Sequence, residues 1–172
     1  MNFKDYIRVI PDFPQPGISF KDITTLLNDG AIYREAIEEM RKMIAHLKID
    51  LIAGPEARGF VVGAPLAYAL GVGFVPIRKQ GKLPYDTIEV SYDLEYGTDT
   101  LAMHSDAVKP GQNVLIADDL LATGGTIGTC VDLIRRVGGN VVGAAFMIEL
   151  QDLNGREKLP DTEVFTLTQY PF

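Results

Sequence analysis

Two adjacent carboxylates, Asp118 and Asp119, stand at the end of the apolar run NVLIAD (113–118). Four to eight residues past Asp118 comes a stretch stripped of bulk, Ala122-Thr123-Gly124-Gly125-Thr126. Neighbouring carboxylates beside a buried strand repel each other and lose hydration unless something answers them. Sugar hydroxyls or a hydrated Mg²⁺ would do so. The small-residue stretch opens a predicted helix over about 126–137. Free backbone N–H groups and the positive end of the helix dipole meet there, so it is suited to cradle a phosphate. It lacks the Gly-Lys-[Ser/Thr] ending of a Walker A loop. Taken alone, TGGT would be a glycine-rich turn with threonine as the N-cap. The carboxylate pair favours the cradle, because together the two parts reach both ends of a ribose 5-phosphate.

A second signal is a run of charge. From Ala57 to Tyr85 there is no Asp or Glu, yet Arg58, Arg78, Lys79 and Lys82 all fall there. In a chain of net charge −7 and pI about 4.8 this local cationic set suggests a small anionic ligand. The overall acidity argues against a general binder of nucleic acid or membrane surface.

The elements that must position these groups alternate between strands and helices. Asp29 can cap a helix to about residue 47, with Ile32, Ala36, Ile37, Met40, Met43, Ile44 and Leu47 on one stripe. DLIAG (50–54) and GVGFVPIRK (71–79) read as strands around a buried helix, 59–70, which Pro65 should kink or enter in its first turn. In 86–96, Ile88, Val90, Tyr92, Leu94 and Tyr96 alternate with polar residues, as in a half-exposed strand, and GTD (97–99) turns it into a partner strand. The strand at 113–118 precedes the 126–137 helix, which Gly138-Gly139 stops; 141–150 and 162–168 complete the strands. Residues 11–20, rich in Pro and Gly, form an arm or loop. This order predicts an α/β fold, a mainly parallel sheet with helices on both faces, whose ligands bind beyond the strands' carboxyl ends. PEARG (55–59) and DDLLATGGT (118–126) both lie at such ends.

With 172 residues the chain suits one domain, 1–172. It has no apolar run of about 20 residues to span a bilayer and no signal-peptide core. A single cysteine, Cys130, suits a reducing cytoplasm and reads as helix packing. His46 reads as a helix-terminal cation, and His104 has no metal-ligand partners nearby in sequence.

VLIADDLLATGGT resembles the 5-phosphoribosyl-1-diphosphate (PRPP) signature of type I phosphoribosyltransferases. More narrowly, PDFPQPGISFKDI (11–23), PEARGF (55–60), IRKQGKLP (77–84), SYDLEYGTDTL (91–101) and IELQDLNGREKL (148–159) resemble the adenine phosphoribosyltransferases in order and spacing. That resemblance implies a type I phosphoribosyltransferase fold with an N-terminal hood, about 1–30, and a flexible β-hairpin lid, about 80–103. It implies that Ala122, Thr123, Gly124, Gly125 and Thr126 hold the 5′-phosphate, and that Asp118 and Asp119 contact the ribose hydroxyls. Arg58, Lys79 and Lys82 would bind pyrophosphate. Phe20 would stack on adenine opposite Leu120, with backbone groups of Ser19 and Lys21 reading the purine edge. Glu95 matches the position of an acid/base contact to the purine, and Arg58 would stabilise the leaving charge; Tyr96 is a further lid candidate. The implied reaction is adenine + PRPP → AMP + pyrophosphate. Mg²⁺ would be carried on PRPP, meeting the protein at most through water at Asp118. A homodimer is implied, since the partner subunit can add pyrophosphate contacts. Two competitors are an enzyme for a 6-oxopurine, which would need a donor such as the Lys21 side chain, and a non-catalytic PRPP or purine sensor.

Overall fold

Five apolar runs pair side by side as parallel strands in the computed structural model, which describes residues 1–94 and 96–172. They are β3 (Leu51–Pro55), β4 (Gly73–Lys79), β7 (Asn113–Leu121), β8 (Asn140–Leu150) and β9 (Val164–Tyr170). A hairpin of β5 (Thr87–Asp93) and β6 (Thr98–His104) extends the sheet antiparallel to β4. The order is β5-β6-β4-β3-β7-β8-β9, mainly parallel as the strand–helix alternation predicts. A separate two-stranded pair, β1 (Arg8–Ile10) with β2 (Phe20–Asp22), belongs to the N-terminal hood.

Strand periodicity sends alternate residues to opposite faces. Along β7, Leu115 and Ala117 join the core with Val62 and Leu66 of α3 (Arg58–Leu70) and Ile37 and Met40 of α2 (Gly30–Met43). Val114, Ile116 and Leu121 join the opposite core with Ile127, Cys130 and Ile134 of α4 (Gly125–Arg136). Cys130 is packing, as its apolar helix neighbours suggest, and burial pushes its thiol up, so it is a poor nucleophile.

Several boundaries differ from the sequence expectation, each for a physical reason. β7 does not stop at Asp118 but runs to Leu121, because β8 pairs with it through Leu120 and Leu121. The aspartates therefore lie within the strand, not beyond it. Asp29 caps α2 by accepting from the N–H groups of Ala31 and Ile32, but the helix ends at Met43, so His46 lies past it, against the Phe165 ring and 3.4 Å from Glu163. β5 ends at Asp93; Leu94 and Tyr96 are exposed at the hairpin end instead of sharing the packed face of Ile88, Val90 and Tyr92.

Pro65 sits in the interior of α3, not in its first turn. Its ring nitrogen has no hydrogen for the carbonyl four residues back. That carbonyl, of Val61, accepts a hydrogen bond from the Tyr33 hydroxyl of α2. A side chain from the neighbouring helix thus replaces the missing backbone donor.

Candidate active site

The parallel strands end at one edge, and the chemistry-bearing residues meet there. Gly124 turns the chain from β7 into α4 with φ of +87°, a left-handed conformation that favours glycine. No side chain caps the start of α4, so its first N–H groups face a cavity of about 290 Å³. The small residues 122–126 line that cavity with Asp118, Asp119 and Arg58. Thr126 sits inside the helix, so the alternative of a threonine-capped turn is not what forms. An uncapped helix start lined by glycine and threonine is chemically suited to an anion.

The two carboxylates differ in environment. Asp119 is 6% exposed, and its Oδ2 accepts from Arg58 Nε at 2.5 Å. Asp118 Oδ1 accepts the Asp119 backbone N–H at 2.8 Å. A β-carbon at Gly59 would stand 3.1 Å from Asp118 Oδ1, so α3 approaches this carboxyl closely. Burial, and then the neighbouring Asp119 charge, push the Asp118 carboxyl well above the ordinary aspartate range. Burial works against the Arg58 charge, but Asp119 and then Asp118 outweigh it and hold the guanidinium firmly protonated. The site thus sets two crowded carboxyls beside the Arg58 guanidinium.

The cationic set is not an open patch. Arg58 pairs with Asp119, Arg78 Nε with Glu56 Oε1 at 3.2 Å, and Lys79 Nζ with Asp99 at 3.4 Å. Each cation of the acid-free stretch that pairs finds its carboxylate elsewhere in the fold. Lys82 is exposed, and neither it nor Lys79 lines the cavity. Glu56 does line it, ties down both Arg78 and the Lys79 N–H, and escaped sequence reasoning because nothing local marks it.

Leu120 lines the same cavity, and the Phe20 ring lies 5.7 Å from the Arg58 guanidinium, with Phe13 edge-on to it at 5.3 Å. The hood therefore reaches the site. Lys21 turns its ammonium back onto the Ser19 carbonyl oxygen, 2.8 Å, and Ser19 Oγ, 2.9 Å, and is 9% exposed. Desolvation lowers its pKa. From the hairpin, Tyr92 packs toward α4, and its hydroxyl lies near Asp99. Glu95 lies outside the described residues. Among the described residues no group of three or more His, Cys, Asp or Glu could enclose a metal ion.

The phosphoribosyl transferase domain family matches residues 22–171. The chain is 65% identical to an adenine phosphoribosyltransferase of Brevibacillus brevis, over 99% of this chain and 100% of that one. It is 58% identical to one of Clostridium perfringens, over 99% of each. Among solved structures, the adenine phosphoribosyltransferase of Thermoanaerobacter pseudethanolicus superposes with a TM-score of 0.95 at 54% identity, over 98% of each chain. The Saccharomyces cerevisiae enzyme, in complex with an imino-altritol bisphosphate and adenine, superposes with a TM-score of 0.91 at 38% identity, over 96% of each chain.

Proposed function

The chain belongs to the adenine phosphoribosyltransferases, and on that premise we propose that it joins adenine to PRPP, releasing AMP and pyrophosphate. The observation that carries the reading is one cavity combining an uncapped helix start, a carboxylate pair and an arginine. The N–H groups and hydroxyls of 122–126 bind the 5′-phosphate. Asp118 and Asp119 accept from the ribose hydroxyls. The bond from adenine N9 to ribose C1 forms as the C1–oxygen bond to pyrophosphate breaks. Positive charge builds at the ribose as negative charge leaves. Arg58, aided by Lys79 and Lys82 when the hairpin closes, stabilises the departing pyrophosphate, and the carboxylates stabilise the ribose. Glu95 takes the proton from the purine. Hairpin closure excludes water that would otherwise hydrolyse PRPP.

Mg²⁺ bound to PRPP would supply Lewis-acid neutralisation of the phosphates, meeting the protein at most through water at Asp118. Two acceptor-only carboxylates without a third ligand among the described residues suit an ion that keeps its waters and substrate oxygens. Phe20 and Leu120 sandwich the base, and backbone groups of Ser19 and Lys21 read its edge. The inward Lys21 ammonium supports adenine over a 6-oxopurine, since the hood cation that would donate to an exocyclic oxygen is engaged with Ser19. The family resemblance supports a homodimer, and the buried lone cysteine a reducing cytoplasm.

Purified protein, PRPP and Mg²⁺ mixed with adenine, hypoxanthine, guanine or xanthine should yield AMP from adenine alone. Another nucleotide would overturn the assignment of the hood. PRPP binding without product would make the protein a sensor.

A further inference from the structure

The crossover between β8 and β9 contains no α-helix, only two short 3₁₀ turns, Gln151–Leu153 and Gly155–Lys158. The second turn lies against the cradle. A β-carbon at Gly124 would stand 2.6 Å from the Gly155 carbonyl oxygen and 2.9 Å from Lys158 Cβ. A β-carbon at Gly155 would land on the Ala122 carbonyl oxygen and stand 2.8 Å from a Leu121 methyl group. The two surfaces therefore meet backbone on backbone, at a closeness only glycine permits.

One charge pair ties that turn to the sheet, its carboxylate buried and its guanidinium half-exposed. Glu149, at the end of β8, is 5% exposed and lies beside Leu121 of β7 and Gln169 of β9 in register. Arg156 donates to it through both arms, Nε to Oε1 at 2.7 Å and Nη2 to Oε2 at 2.8 Å. Gln169 Nε2 adds a third donor at 3.1 Å. A bidentate pair fixes orientation as well as distance. Nothing in the cavity needs this pair directly, since neither residue lines it.

We propose that Glu149 and Arg156 are positioning residues for the 5′-phosphate: the clamp presses the 155–158 turn against Gly124 and so sets where the cradle N–H groups point. The inference rests on the reading of 122–126 as the phosphate site. With the clamp broken, the turn loses its anchor to the sheet, and the cradle drifts at the only part of the ligand it touches. Binding of a 5′-phosphate should suffer while binding of base and ribose does not.

Titrating AMP and adenosine separately isolates the phosphate, since the two differ by that group alone. Arg156→Met and Glu149→Gln should each shrink the wild-type preference for AMP over adenosine about tenfold, leaving adenosine affinity unchanged. Arg156→Lys, which keeps the charge but loses the fork, should fall between. KM for PRPP should rise accordingly while kcat stays within about twofold. An unchanged preference, or an equal loss for both ligands, overturns the inference. If the Met variant does not fold, the Lys and Gln variants decide by the same ratio. A wild-type protein with no preference for AMP would instead overturn the phosphate-site reading itself, which keeps the two failures distinct.

Discussion

Arg58→Met removes the one cation that balances Asp118 and Asp119. Breaking a fully buried ion pair costs about 3–5 kcal/mol, and losing a hydrogen bond to a charged group about 1.5–3. The Arg58 side chain is 53% exposed while that of Asp119 is 9% exposed, so solvent already screens one partner. The lower range applies, about 1.5–3 kcal/mol at neutral pH. For a chain of this size each kcal/mol moves Tm by about 2–4 °C, so Tm should fall by about 3–12 °C. The loss should also depend on pH in a defined direction. Asp118 already titrates above its unfolded value, and removing Arg58 raises it further. Such a group destabilises the fold above its folded pKa and is relieved as pH falls through that value. The Tm gap between variant and wild type should therefore narrow as pH falls from above the folded Asp118 value toward the unfolded one. Adding Asp118→Asn should recover much of the loss at pH 8, while AMP formation by the variants stays low. Circular dichroism melts across that pH range test this. A gap that is constant or widens toward acid, or no rescue by Asp118→Asn, refutes the view of Arg58 as counterion to the pair.

Asp119→Asn should lower kcat/KM for AMP formation by about one to several orders of magnitude, as contacts to the reacting sugar and to Arg58 are lost; wild-type kinetics would remove Asp119 from the site. Glu95→Leu should lower kcat more than PRPP affinity, and an unchanged kcat in steady-state assays would remove Glu95 from the chemistry. Gly124→Ala must hold a left-handed φ at about 1–2 kcal/mol and drive a β-carbon toward the Gly155 carbonyl; calorimetry should show weakened AMP binding and a lower Tm. Tyr33→Phe leaves the Val61 carbonyl without its donor and should cost about 1–2 kcal/mol in urea unfolding. In a Pro65→Ala background, where residue 65 regains an N–H, that cost should nearly vanish, and equal costs in both backgrounds would contradict the assigned role of the hydroxyl.

Local chemistry makes much of this protein legible in the order of its residues. Asp29 caps α2 because a short acceptor before a helical stripe satisfies N–H groups one turn away. The α4 start is legible because glycine and threonine after an apolar strand leave helix donors free. Asp118 and Asp119 stand out because adjacent carboxylates beside a buried strand demand a partner. All of these depend on residues a few positions apart. The tertiary structure decided which partner each charge meets. Arg58 reaches Asp119 across 61 residues, and Arg78 reaches Glu56 across 22. Lys21 turns inward, and the Glu149–Arg156 clamp presses Gly155 against Gly124. The length of β7, and hence the placement of both aspartates within it, depended on pairing with β8. Helix and cap signals are short-range along the chain. Strand pairing, charge partnering and glycine interlocks arise only when distant segments share one sheet edge, and no local pattern encodes that closeness.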